Sequence, residues 1–83
     1  METIVLDDFL DNGIIREKSF RQQVDKIDLN IYLDKKVIIK GCAGVMVPTW
    51  AYLILTAKLA QVAKKIYYGE PRHAVKIYSR DTD

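Results

Sequence analysis

Four short runs of apolar, mostly β-branched or aromatic residues predict strands, at residues 3–6, 36–40, 66–68 and 74–78. The run at 36–40 contains three consecutive β-branched residues, which predicts a central strand buried on both faces. Helical periodicity separates the first strand from the second and the second from the third. The order β-α-β-α-β-β predicts an α/β fold, a small mixed sheet of about four strands packed against two helices, in one domain over residues 1–83.

The two predicted helices differ in how much of their surface is apolar. The first, near residues 17–27, has one narrow apolar stripe formed by Phe20, Val24 and Ile27. The second is expected over residues 48–64, because a proline suits the first helical turn, and it is apolar on nearly every side. A helix of the second kind needs to be buried on nearly every side, and a single small sheet covers only one face.

The second helix therefore has an apolar face that the sheet leaves uncovered. At the helical period, that face holds Trp50, Leu53, Ala57 and Ala60. An uncovered apolar face usually marks an interface, so we predict a homodimer in which these four residues form the contact. The alternative is that the first helix covers this face within one chain.

The length and composition of the chain strengthen this prediction. It has 83 residues, of which 49% are hydrophobic and eight are aromatic. A chain this short buries a smaller share of its surface than a large domain does, so apolar surface is left over.

The sequence predicts a cytoplasmic protein without a membrane segment. Residues 41–57 carry no charge, but Pro48 interrupts them and Lys58 follows at once, which argues against a membrane span. Residues 1–7 lack the basic region and long apolar stretch of a secretory signal. A single cysteine excludes an intramolecular disulfide and fits a reducing compartment.

Charge is divided unevenly along the chain. Residues 1–34 have a net charge of −4 and residues 35–83 a net charge of +6, for a total of +2. The two halves neutralise each other within one chain or attract between two copies. No dense run of Lys and Arg with interleaved aromatic residues is present, so the sequence predicts no nucleic-acid partner.

The loop between the second strand and the second helix is the candidate ligand site. Backbone N–H groups at a helix start, together with the positive end of the helix dipole, can bind a phosphate or carboxylate. The residues predicted to do so are Gly41, Cys42, Ala43, Gly44 and Thr49. The loop has neither a Walker motif nor a dinucleotide fingerprint, and a tight turn of small residues explains the same pattern without a ligand.

Cys42 is also the candidate for a different class of function, thiol chemistry. A position near a helix start favours the thiolate, but a catalytic thiol needs a base, and His73 is the only imidazole. A small buried packing residue is the alternative. Asp7, Asp8 and Asp11 lack the order of a calcium loop. We therefore predict no catalytic residue, no metal site and no cofactor.

The segment 38–52, with the sequence IIKGCAGVMVPTWAY, resembles an uncharacterised bacterial family, a domain of unknown function. Its members have a similar strand, Cys-containing loop and Val-Pro-Thr-Trp-Ala-Tyr helix start, and segments 13–21 and 68–78 are also similar to that family. Family members are about twice as long and contain two related halves. The resemblance therefore implies that two copies of this chain take the two half-positions in a homodimer, and it transfers no catalytic residue.

The predicted function is thus a non-enzymatic cytoplasmic α/β module that homodimerises through its long helix, with a protein partner or a small anion as further ligands. One alternative is a small enzyme or redox protein that uses Cys42 as a thiolate. The other is a regulatory domain, since the order of elements is similar to that of sulfate-transporter and anti-sigma-antagonist domains. The Asp-Ser-Ser-Gly segment of those domains is missing here.

Overall fold

The computed structural model describes residues 1–41 and 44–80 and contains the predicted elements in the predicted order. The strands are β1 (Glu2–Val5), β2 (Lys36–Lys40), β3 (Lys65–Tyr68) and β4 (Val75–Ser79). The helices are α1 (Glu17–Asp25) and α2 (Thr49–Leu59). Short helical turns lie at Leu6–Phe9, Leu29–Tyr32 and Pro71–His73. The predicted fold class, a small mixed sheet with two helices, is confirmed.

The four strands form one sheet in the order β1-β2-β3-β4. The first two pairings are parallel, because each connection passes through a helix, and β3 pairs with β4 antiparallel after a short turn. That turn contains Gly69 at φ +117°, a backbone conformation that side-chain-bearing residues rarely adopt. The central strand β2 is buried on both faces, as predicted, since Val37, Ile38 and Ile39 are each at most 1% exposed.

Both helices pack on the same side of the sheet, which we call the inner face. Its strand residues are Ile4, Val37, Ile39 and Ile66. Phe20 and Val24 of α1 and Ala51, Leu55 and Leu59 of α2 complete one cluster with them. The alternate strand residues form the outer face, and among the described residues no helix packs against it.

Helix α2 is shorter than predicted, because it ends at Leu59 rather than near Lys64. No glycine or proline marks this end, so the sequence pattern continued past it. Tertiary hydrogen bonds decide the end instead: the Lys64 N–H donates to the Lys35 carbonyl at 2.8 Å, and the Asp34 N–H donates to the Val62 carbonyl at 2.9 Å. These bonds lead the chain into β3. Within the described residues, no helix has the length and apolar character that crossing a membrane requires.

Candidate functional site

An apolar groove of about 240 Å³ lies between α2 and the β3–β4 side of the inner face. It is lined by Ile39, Tyr52, Leu53, Thr56, Tyr68 and Ile77. Ile77 reaches the groove because the register of β3 against β4 shifts between Ile66 and Tyr67, which leaves Ile77 as the extra residue of a β-bulge. None of the described lining residues is a carboxylate, an amine, an imidazole or a thiol.

Two tyrosines form one wall of the groove. The rings of Tyr52 and Tyr68 meet edge to face, with centroids 5.0 Å apart and planes at 80°. The Tyr52 hydroxyl lies so close to Gly41 that a Cβ at this position would be 2.7 Å from Oη. A side chain at this position, just after β2, would therefore press against the tyrosine hydroxyl.

Exposed apolar residues surround the groove and form what we call the α2–β4 patch. Its members are Leu53, Ala57, Tyr68, Val75 and Ile77. Leu53 is 65% exposed, Val75 56% and Ile77 51%, which is high for large apolar side chains. Val75 pairs with Tyr68 in the sheet, and Ala57 lies one helical turn after Leu53, so the patch is continuous from helix to edge strand.

The four predicted interface residues lie in different environments. Trp50 is half-buried against α1, where its ring meets Phe20 edge to face at 5.8 Å. Ala60 is half-buried and packs against the core. Leu53 and Ala57 remain exposed to solvent. Helix α1 therefore covers the Trp50 end of the predicted face and leaves its centre open, while the homodimer itself stays a prediction.

The predicted anion site is only partly within the described residues. Gly41 is half-buried, Gly44 is exposed, and Thr49 is the exposed first residue of α2. Cys42 and Ala43 lie outside the described residues, so the anion site and the reactive thiol both stay predictions. The described residues include no group of three His, Cys, Asp or Glu that could hold a metal ion.

The acidic residues near the first helix have structural partners. Asp11 accepts a hydrogen bond from the Ser19 hydroxyl at 3.1 Å, and one of its oxygens lies 3.7 Å from Arg16 Nε. Glu17 forms an ion pair with Arg21 one turn later along α1, at 2.9 Å. The Asp11–Ser19 hydrogen bond therefore ties the segment before α1 to the helix.

The outer face carries a cluster that sequence reasoning missed. Lys36, Lys40, Lys65 and Lys76 lie on it together with Tyr67, which is half-buried. Each of these lysines is next to an apolar residue in its strand, so the alternation of polar and apolar positions could have placed it there. Lys40 Nζ also lies 3.3 Å from Glu70 Oε2, just beyond the end of β3.

The sequence profile of the family described as Protein of unknown function (DUF2480) matches residues 9–80. The match includes the α2–β4 patch and the outer-face lysines. It leaves out residues 1–8, which contain β1. Neither a search of curated proteins nor a search of solved structures found a significant match. The chain therefore belongs to the DUF2480 family, and the predicted membership in an uncharacterised family is confirmed.

Proposed function

We propose that this member of the DUF2480 family is a non-enzymatic cytoplasmic module that acts as a homodimer, with the α2–β4 patch as the contact. One observation carries the proposal: Leu53, Ala57 and the groove beside them form one continuous apolar surface that is open to solvent. Surfaces of this kind usually mark an interaction site.

The burial pattern of α2 supports a second copy as the partner. The sheet covers one side of the helix through Ala51, Leu55 and Leu59, each 0% exposed. Leu53 and Ala57 lie on the opposite side, where no charged residue of the helix interrupts them. Around a two-fold axis the same patch meets itself, and the small side chain of Ala57 lets the two helices approach closely.

The groove itself supports a binding role over catalysis. Most catalytic acids, bases and nucleophiles are imidazoles, carboxylates, amines or thiols, and a hydroxyl nucleophile needs such a base beside it. The described lining residues offer only apolar side chains and the hydroxyls of Thr56, Tyr52 and Tyr68. The single cysteine of the chain supports the proposed cytoplasmic location, since it forms no disulfide within the chain.

Sedimentation analysis over a range of protein concentrations tests the dimer. We expect the wild-type chain to sediment at twice its 9.6 kDa mass at micromolar concentration. Leu53→Glu should shift it to the monomer and weaken association by about a hundredfold or more, because a carboxylate would be buried without a partner.

Ile31→Glu is the matched control, because Ile31 is 52% exposed in the turn Leu29–Tyr32, outside the patch. It should leave the dimer intact. A wild-type chain that stays at 9.6 kDa up to high micromolar concentration would overturn the proposal. So would a Leu53→Glu variant that keeps its fold by circular dichroism and still dimerises.

A further inference from the structure

The outer face of the sheet is the second surface of the molecule with a distinct chemistry. Of all the residues in the four strands, four are lysines and one, Glu2, is acidic. Glu2 pairs with Val37, an inner-face residue, and therefore lies on the inner face. All four lysines lie on the outer face, as their register shows.

The lysines surround one aromatic ring. Tyr67 pairs with Ile38 on one side and with Lys76 on the other, and Lys65 is two residues before it in β3. Lys36 and Lys40 flank Ile38 in β2 and are therefore diagonal neighbours of Tyr67. Adjacent strands are about 4.8 Å apart, and diagonal neighbours about 7–8 Å, within reach of a lysine side chain.

We propose that the outer face binds single-stranded nucleic acid, with a base stacked on Tyr67 and the phosphates held by the lysines around it. The inference does not rest on the proposed dimer, whose contact lies on the α2–β4 patch. Charge complementarity supports it, because a face with four lysines and no acidic strand residue attracts a polyanion. Glu70 in the Lys40–Glu70 pair is exposed, with its side chain 68% accessible, so phosphate can replace the carboxylate at little cost.

The position of Tyr67 favours a nucleic acid over an acidic protein segment. Carboxylates would use the lysines but would leave the ring without a partner. A nucleobase has a flat face that stacks on an aromatic side chain, whichever base it is. The central strands of an open sheet are also where other small domains stack the bases of single strands.

The sequence predicted no nucleic-acid partner because its basic residues do not form a dense run. The fold changes this conclusion, since it brings together lysines that are up to 40 positions apart in the chain, from Lys36 to Lys76. The helices occupy the other face, so no helix of the described chain covers this surface.

Fluorescence anisotropy with a labelled oligo-dT of about twelve nucleotides, at about 20 mM salt and then at rising salt, tests the proposal. We expect binding whose affinity falls steeply with salt. Tyr67→Leu should weaken it about tenfold through loss of stacking, and Tyr67→Phe should retain it. The double variant Lys36→Gln and Lys76→Gln should make the slope of log affinity against log salt shallower by about 1.4, which corresponds to the loss of two phosphate contacts.

The matched controls remove the same groups from the other side of the molecule. Lys18→Gln with Lys26→Gln takes two exposed charges from the end regions of α1, and Tyr78→Leu takes an inner-face ring from the neighbouring strand β4, outside the α2–β4 patch. Both should bind as wild type does.

Three results would overturn the inference. One is the absence of binding at low salt. Another is equal loss of affinity in the outer-face variants and their controls. The third is displacement of the oligonucleotide by polyglutamate at equal charge concentration together with full binding by Tyr67→Leu, which would assign the face to an acidic protein instead.

Discussion

The inner and outer faces of the sheet are built from alternate residues of the same strands, yet they differ in what packs against them. On the inner face, Val37, Ile39 and Ile66 are covered by two helices. On the outer face, Ile38 is 1% exposed although no helix of the described chain packs over it. Its neighbours there are long lysine and tyrosine side chains, whose stems can shield an apolar residue while their polar ends stay in water.

This comparison separates burial from packing. An inner-face residue is enclosed by backbone elements that are fixed by the rest of the core, so a space left there stays open. The outer-face neighbours of Ile38 in the sheet include long lysine and tyrosine side chains, and we expect these to move into such a space more readily than a helix does. Two equally buried isoleucines should therefore differ in what their removal costs.

Ile66→Ala and Ile38→Ala are the most direct way to break this comparison. Ile66 is 0% exposed on the inner face and Ile38 is 1% exposed on the outer face. We expect a loss in the free energy of unfolding of about 4 kcal/mol for Ile66→Ala and about 2 kcal/mol for Ile38→Ala, because only the second cavity can collapse. Urea denaturation at one fixed protein concentration measures both, since the stability of a dimer depends on concentration. Equal losses would show that the outer side chains are as rigid as the helices.

The inner face was largely predictable from the sequence because it follows from local pattern. The β-branched run of β2, the stripe of Phe20 and Val24 and the proline before α2 each indicate an element and a buried side within a few residues. Features that depend on distant residues were not predictable. The end of α2 is decided by hydrogen bonds to Asp34 and Lys35, nearly thirty positions earlier in the chain.

The candidate sites show the same division. The exposure of Leu53 and Ala57 follows from the helical period of α2, whereas the contact of Trp50 with Phe20 depends on how two helices pack. The groove depends on a β-bulge in β4, and no residue type in that strand indicates a bulge. The outer-face lysines were visible one by one, but their grouping around Tyr67 needs the strand order and register.

A substitution of Gly41, which follows β2, tests how firmly the two helices are held over the inner face. A Cβ on Gly41 would lie 2.7 Å from the Tyr52 hydroxyl, whereas the next atom of that ring is 3.9 Å away. Gly41→Ala should therefore lower the free energy of unfolding by about 1–2 kcal/mol through overpacking. In a Tyr52→Phe background the same change should cost less than about 0.5 kcal/mol, which a double-mutant cycle measures.

Gly44→Ala is the control for this cycle, since a Cβ at Gly44 would have no atom within 4 Å. It should change stability by less than about 0.5 kcal/mol in either background. Additive effects of Gly41→Ala and Tyr52→Phe would show that the cost does not come from contact with the Tyr52 hydroxyl. A cost near zero for Gly41→Ala alone would show that the layer over the inner face is as adaptable as the outer one.

The smallest expected effect concerns Tyr32, which packs against the inner-face core close to Glu2. Burial, and secondly the negative charge of Glu2, raise the pKa of Tyr32 above its ordinary value near 10. The folded chain therefore holds this proton more tightly than the unfolded chain, and the resulting stability is complete below pH 10 and lost as the pH rises through the folded pKa. Tyr32→Phe should make urea unfolding less sensitive to pH in this alkaline range.

Glu2→Gln separates the two causes, because it removes the charge and leaves the ring buried. Since burial is the larger cause, most of the contribution of Tyr32 to the alkaline dependence should persist in this variant and be lost only in Tyr32→Phe. Loss of the whole dependence in Glu2→Gln would mean that charge rather than burial dominates at this site.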